Sequence, residues 1–223
     1  MARSADPKAR SRLLEAAQDV FVQKGLDRAK VEDITQRAGL SKGAFYLHFK
    51  TKAAAFKELV SAMLKGLGSI ALDGERCRVG RESGHPPTFL QAWLDRDTEL
   101  FEFVWQNREL MRLVLDGGGS GDQRHLIDDF ATHAQEVSTE FLRAGVEVGF
   151  YRKDLDVVTA ATFIAGGYDR FARQLVRERK KPDIRARIAQ LQQIAVMGVG
   201  GPKLVSAVAR KDGHRKARKP KPI

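Results

Sequence analysis

Two short segments of helical periodicity flank a glycine-containing turn in residues 31–52, and this unit constrains the fold more than any other part of the chain. Ile34 gives the first segment an apolar face, and Phe45 and Phe49 do the same for the second. Gly39 can supply the turn conformation that a residue with a Cβ atom resists. The pattern predicts a helix-turn-helix whose small apolar core fixes the angle between its two helices.

The rest of the chain is predicted to be helical as well, because apolar residues recur three or four positions apart over most of its length. No segment alternates apolar and polar residues as a strand would. We therefore predict an all-α fold. The helices expected outside the motif cover residues 7–25, 52 onward, 88–115, 122–149, 154–179 and 183–197, with glycine- and proline-rich loops at residues 73–87 and 117–121.

Positive charge is concentrated at the two ends of the sequence. The formal net charge is +11; residues 1–66 carry 13 Lys and Arg against 7 Asp and Glu, and residues 209–223 carry 7 against 1. The segment between them is nearly neutral, with 19 against 20. Clustered positive charge favours a polyanionic partner, because each neutralised phosphate releases counterions. A solvated surface with a solubilising tail would have the same composition, so the charge alone leaves both interpretations open.

The second helix of a helix-turn-helix enters the major groove of DNA, while the first crosses the backbone. Lys42 can meet a phosphate, Gly43 lets the backbone approach one, and Lys52 begins the next helix, where the helix dipole favours an anion. Leu47 could contact a thymine methyl group or pack inward, and inward packing is our preferred interpretation. The residues predicted to contact DNA are Lys30, Thr35, Ser41, Lys42, Gly43, Ala44, Tyr46, His48 and Lys52.

The run IxxxAGLSKGxFYxHFxxK, from Ile34 to Lys52, resembles the signature of the TetR family of transcriptional regulators. The resemblance covers about residues 7–66 and includes the distance from the N-terminus; the remainder matches the family only in layout. The sequence departs from the family at Ala29 and Lys30, where a small hydroxyl residue is often found, and at Thr35, where alanine is usual. We therefore expect a helix cap and a phosphate contact to be lost near the start of the second helix.

The resemblance implies a homodimer that binds a palindromic operator in double-stranded DNA and an unknown small-molecule effector. It implies a helix-turn-helix DNA-binding domain at residues 1–51 and a helical effector-binding and dimerisation domain at residues 52–208, followed by a basic tail at residues 209–223 that is expected to be disordered. The candidate effector-binding residues are Trp93, Trp105, Phe130, His133 and Tyr168. The candidate dimer-interface residues are Phe163, Ile164, Gly167, Phe171, Ile188 and Leu191. For both sets, plain intrachain core is the alternative.

The sequence is interpreted as that of a sequence-specific transcriptional regulator, a repressor released by a small-molecule effector. The alternative is an architectural protein that binds DNA largely nonspecifically through its basic ends. We predict no catalytic residues, metal site or cofactor, because no nucleophile–base pair, metal-ligand spacing or phosphate-binding loop is found. Cys77 is the single cysteine and no apolar run is long enough to span a membrane, so we expect a cytoplasmic protein with no membrane partner.

Overall fold

Helices make up nearly all of the regular structure in residues 7–71, 82, 84–115 and 121–206, which are the residues that this computed structural model describes; the side chains of residues 7, 121–127 and 130 lie outside that description. The described regions contain nine helices and a short helical segment at residues 202–206. The only strand-like pairing among them is an isolated bridge between Tyr151 and Gly200, so the all-α prediction is confirmed. The helices are α1 Pro7–Arg28, α2 Val31–Ala38, α3 Lys42–His48, α4 Lys52–Ala71, α5 Pro86–Gln106, α6 Arg108–Leu115, α7 Gly121–Glu147, α8 Val157–Leu175 and α9 Ile184–Val199.

Most helix boundaries lie within a few residues of the predicted ones, and two differences change the description of a helix. Gly25 interrupts α1 as expected, with φ 76° and ψ 161°, but a further helical turn continues to Arg28. The single helix predicted for residues 88–115 is wrong, because α5 ends at Gln106 and α6 begins after Asn107. The Asn107 side-chain amide donates to the Phe103 carbonyl oxygen at 2.9 Å, and this local hydrogen bond competes with continuation of the helix.

The N-terminal helices form the predicted helix-turn-helix around an aromatic core. Phe21 of α1 and Phe56 of α4 meet edge to face at 5.3 Å between ring centroids, and Ile34 and Phe45 are fully buried in the same cluster. Gly39 adopts the left-handed conformation, with φ 64°, and its N–H donates to the Gln36 carbonyl oxygen. The turn therefore has the geometry for which glycine was expected.

The remaining helices pack into a body that shares α4 with the N-terminal helices. Helix α4 contacts α1 on one side and α5 and α7 on the other, while α8 packs on α7 and α9 packs on α5. A Cβ atom at Gly66 would lie 2.6 Å from Cζ of Phe103, so this glycine permits the close approach of α4 to α5. Helix α1 also contacts α6. The helix-turn-helix is thus joined to the body through α4 and through the α1–α6 contact.

Some predicted segments lie outside the described residues. They are the basic tail at residues 209–223, residues 117–120 of the second glycine-rich loop and most of the loop at residues 73–87. The division at residues 51 and 52 stays a prediction. None of the helices in the described part of the chain is long and apolar enough to cross a membrane.

Candidate DNA-binding surface and effector cavity

Helix α3 presents an exposed surface in which most of the predicted DNA-contacting residues lie together. Ser41, Lys42 and Gly43 are exposed at its N-terminal end, and Ala44 and His48 are partly exposed. The Ser41 hydroxyl oxygen accepts a hydrogen bond from the Ala44 N–H at 3.2 Å, so this residue caps α3 as well as facing solvent.

Two large side chains project from the exposed side of α3. Tyr46 is 55% exposed, and its ring lies edge-on to the buried ring of Phe45. Leu47 is 61% exposed, so our preferred interpretation that it packs inward is wrong. Phe45 and Phe49 already fill the inward face of this seven-residue helix, which leaves Leu47 on the outside. Exposure is what the alternative interpretation, contact with a thymine methyl group, requires.

An ion pair joins α2 to α3 on this surface. The Lys42 Nζ atom is paired with the Glu32 carboxylate, and both side chains are more than half exposed. The contact lowers the pKa of Glu32 and raises the pKa of Lys42, because each charge stabilises the other. Lys42 is therefore positively charged but engaged within the chain.

The beginning of α2 has a cap that the sequence analysis missed. The Asp33 carboxylate accepts a hydrogen bond from the Lys30 N–H at 3.0 Å and an ion pair from Lys24 Nζ at 2.8 Å. Both contacts lower the pKa of Asp33. Asp33 thus satisfies the N–H of Lys30, the residue before α2, which is one half of a capping box. Lys30 itself makes no side-chain cap, as expected from the sequence, and its side chain stays exposed.

The side chains of Thr35 and Lys52 form hydrogen bonds within the chain. Thr35 is buried, and its hydroxyl donates to the Glu32 carbonyl oxygen at 3.1 Å, which is a packing position rather than a DNA-facing one. Lys52 donates from Nζ to the carbonyl oxygens of Asp27 at 2.8 Å and Ala29 at 2.9 Å. It ties the start of α4 to the end of α1, with one of its three N–H donors left over.

A cavity of about 280 Å³ lies within the C-terminal body. Its wall comes from α4, α5, α6, α7 and α8 together with Tyr151, and it is mainly apolar. Met63, Leu64 and Leu67 of α4 form part of this wall, so the helix that begins at Lys52 also borders the cavity. A concave, mostly apolar site with a few polar groups is the usual form of a small-molecule site.

A buried polar cluster forms one part of the cavity wall. Asp97 is fully buried and accepts hydrogen bonds from Trp93 Nε1 at 2.7 Å and from Arg96 Nε at 2.8 Å. The Tyr168 hydroxyl also donates to Asp97. Burial and the neighbouring carboxylate raise the pKa of Tyr168 well above its usual value, so this phenol stays protonated near neutral pH.

The five predicted effector-binding residues separate into two groups. Trp93 and Tyr168 line the cavity. Trp105 does not; its ring lies 4.6 Å beneath the Arg108 guanidinium on another side of α5. His133 is exposed on α7, where Nδ1 lies 3.6 Å from Glu136, and it does not line the cavity either. The side chain of Phe130 lies outside the described residues.

The predicted dimer-interface residues also divide between surface and core. Phe163 is 73% exposed and Gly167 is exposed beside it. Ile188 is fully buried and therefore cannot face a partner, because the stripe of α9 to which it belongs packs inside the chain. Three further candidates lie against intrachain neighbours: Ile164 lines the cavity, Phe171 packs on Phe101, and Leu191 packs on the core.

The sequence analysis missed candidate residues both at the proposed dimer surface and in the cavity. Ile194 and Met197 of α9 are large apolar residues that are exposed by 63% and 62%, as Phe163 of α8 is. Asp97 was missed in the cavity, although a signal existed: it falls on the apolar stripe of α5 one turn after Trp93. A carboxylate at a core position requires buried partners, and that requirement could have identified the cluster.

Comparisons with known proteins agree with a helix-turn-helix joined to a helical body. The family described as "Bacterial regulatory proteins, tetR family" matches residues 13–59. The HTH-type transcriptional repressor KstR2 of Rhodococcus jostii is 27% identical over 163 residues, which cover 70% of this chain and 74% of the relative. The regulator TtgR of Pseudomonas putida is 41% identical over 58 residues, covering 26% of each chain.

Similarity to solved structures extends over most of the chain. The regulator FadR of Bacillus subtilis, solved in complex with stearoyl-CoA, superposes with a TM-score of 0.64 at 20% identity. The superposition covers 84% of this chain and 98% of that one. At this level of identity the match establishes the fold, with an N-terminal helix-turn-helix domain joined to a helical body.

Proposed function

We propose that this chain, a DNA-binding transcriptional regulator of the TetR family, represses transcription as a homodimer until a small apolar molecule enters its cavity. The observation that carries the proposal is the position of α4. Its first residue, Lys52, is hydrogen-bonded to the end of α1, and its later turns border the cavity. A molecule in the cavity can therefore act on the same helix that anchors the DNA-binding unit.

On the DNA side, α3 of each protomer enters a major groove. Lys42, Gly43 and the free donor of Lys52 bind phosphates, and Ser41 and Lys30 flank them. Tyr46, Leu47 and His48 lie nearest the bases. Their exposure supports this assignment, whereas buried Thr35 acts by supporting α2. Lys42 must break its ion pair with Glu32 before it can bind a phosphate.

The dimer forms through the outward faces of α8 and α9. Phe163, Ile194 and Met197 are large apolar side chains that remain exposed in the single chain. Gly166 and Gly167 lie on the same face with open space where a Cβ atom would be, so a partner helix can approach closely there. Two-fold pairing of such a face would bury these side chains and place two α3 helices against a palindromic site.

The effector acts by binding two states of the dimer with different affinities. One state has the spacing of α3 helices that matches the operator, and the other does not. Occupation of the cavity favours the second state through α4. Because the protein must reach DNA to act in this way, we propose that it is located in the cytoplasm.

The test is binding of the full-length protein to the DNA upstream of its own gene, at moderate salt and with excess unrelated DNA. We expect a discrete footprint with two-fold symmetry that survives the competitor. If the unrelated DNA displaced the protein completely from the upstream DNA, that result would contradict a sequence-specific repressor.

The architectural alternative depends on the basic ends of the chain. If it were correct, removal of residues 209–223 would abolish most affinity for every DNA. A repressor that reads bases through α3 should keep its sequence preference after this truncation and lose mainly nonspecific affinity. The similarity to HTH-type repressors supports the second outcome.

A further inference from the structure

The formal charges in the described wall of the cavity are paired within the chain. Arg96 contacts Asp97 at 2.6 Å, and Asp169 contacts Arg173 at 2.7 Å. Asp97 is fully buried, and Arg96 is largely buried. A charged group placed beside the buried Arg96–Asp97 pair would find no unpaired counter-charge there, and the loss of its hydration would go uncompensated.

The Asp97 carboxylate has no capacity left for a ligand. Its Oδ1 atom accepts from Nε and Nη2 of Arg96, at 2.8 and 2.6 Å. Its Oδ2 atom accepts from Trp93 Nε1 at 2.7 Å and from the Tyr168 hydroxyl. A carboxylate has about four acceptor positions, and four donors occupy them here. Asp97 therefore orients its neighbours and does not serve as a cation site.

Two of the three hydroxyl groups in the described wall, those of Tyr168 and Ser138 but not of Tyr151, have committed their protons to acceptors within the chain. The Tyr168 hydroxyl donates to Asp97, and the Ser138 hydroxyl donates to the Ala134 carbonyl oxygen at 2.7 Å. Because the pKa of Tyr168 is raised, its proton stays in place near neutral pH. Each oxygen can still accept a hydrogen bond, so these two groups favour a ligand that donates one.

We infer that the cavity binds an uncharged, largely apolar alcohol, whose hydroxyl group donates to Tyr168. The inference rests on the proposed function, since it names the chemical class of the molecule that occupies the same cavity. The ligand's hydrocarbon part lies against the apolar side chains of α4, α5 and α6. A carboxylate, a ketone or an ether offers only acceptors to Tyr168, and an alkylammonium brings a charge that Asp97 cannot neutralise.

The inference is tested with four ligands of matched length: 1-decanol, its isomer methyl nonyl ether, decanoate and decylammonium. Dissociation constants are measured by calorimetry at pH 7 on the full-length protein without DNA. We expect 1-decanol to bind at least about tenfold more tightly than either charged ligand. We expect it to bind about three- to tenfold more tightly than the ether, which is the usual contribution of one hydrogen bond.

Two variants locate the polar contact. Tyr168→Phe should weaken 1-decanol binding about three- to tenfold and leave the ether unchanged. Tyr46→Phe removes an exposed tyrosine hydroxyl from α3 and is the matched control, with all four dissociation constants unchanged. If Tyr168→Phe fails to fold, the ranking of the four ligands on the unaltered protein still tests whether the cavity prefers an uncharged alcohol.

Equal or tighter binding of decanoate or decylammonium would overturn the inference, as would equal binding of the ether. Absence of binding by all four ligands would also overturn it. None of these results depends on DNA, so a symmetric operator footprint obtained separately would leave the proposed function standing. Conversely, the expected ligand ranking without any operator would remove the repressor proposal alone.

Discussion

The ammonium group of Lys42, in the first turn of α3, is paired with the carboxylate of Glu32 on α2. Both side chains lie on the surface that we propose meets DNA, and both are more than half exposed. The lowered pKa of Glu32 keeps this carboxylate ionised throughout the neutral range. Binding of a phosphate by Lys42 therefore replaces one anionic partner with another and leaves Glu32 facing DNA.

Glu32→Gln should tighten DNA binding, because it removes the competing anion without changing the size of the side chain. We expect an increase of about two- to fivefold, the range of a single exposed ion pair, for operator and random DNA alike. Lys42→Gln is the matched variant and should weaken binding, with the salt dependence reduced by about one counterion. Titration of labelled DNA at several salt concentrations measures both effects, and an unchanged affinity in Glu32→Gln would contradict the competition.

Lys52→Met should destabilise the junction between α1 and α4. The substitution removes hydrogen bonds to the carbonyl oxygens of Asp27 and Ala29 but keeps most of the apolar stem. We expect a loss of about 1–2 kcal/mol in the free energy of unfolding, together with weaker DNA binding. Lys57→Met, at an exposed position of the same helix, is the control and should leave thermal unfolding unchanged. Equal unfolding curves for the two variants would refute the structural role of Lys52.

Phe163→Arg should convert the proposed dimer to monomers, because the charge would be buried between two copies of α8. Val148→Arg places the same charge at an exposed apolar residue after α7 and should leave the dimer intact. Sedimentation or light scattering gives the mass of each variant. A dimeric Phe163→Arg protein would show that another surface joins the protomers.

Asp156 gives the protein a pH-dependent helix cap at the start of α8. Its carboxylate accepts hydrogen bonds from the N–H groups of Val158 and Thr159, both at 3.1 Å, and from the Thr159 hydroxyl at 2.8 Å. The contacts to Thr159 are the main cause of its lowered pKa. Because the pKa is lower in the folded chain, the stabilisation is complete above the unfolded pKa, about 3.9, and is lost as pH falls through the folded value.

Thermal unfolding of two variants between pH 3 and pH 7 tests this cap. Asp156→Ala should lower the Tm at pH 7 by about 2–4 °C. Asp156→Asn retains an accepting oxygen that does not titrate, so any advantage of the native residue over it should shrink below about pH 4. A difference between the native protein and Asp156→Ala that stays constant down to pH 3 would exclude the carboxylate as its source.

The helix-turn-helix could be predicted from the sequence because its determinants are local. Gly39 requires the left-handed conformation and Ser41 caps α3, and each acts within a few residues of its own position. Leu47 could not be assigned in this way, since its exposure depends on how completely Phe45 and Phe49 fill the inward face of α3.

The effector cavity and the dimer surface depend on long-range packing. Trp93 and Trp105 both have helical spacing on α5, and only the position of the neighbouring helices separates the cavity-lining residue from the other. The same applies to Ile188 and Ile194 of α9, of which the first is fully buried and the second is 63% exposed. Apolar periodicity identifies the stripe of a helix but does not say whether its partner belongs to the same chain.

The central claim is that two copies of α3 read a symmetric DNA site, and selection from random-sequence DNA by the full-length protein tests it most directly. The account predicts that the enriched sequences share an inverted repeat, with half-sites about one helical turn apart or slightly more. Recovery of no common sequence, or of a single half-site without symmetry, would contradict it.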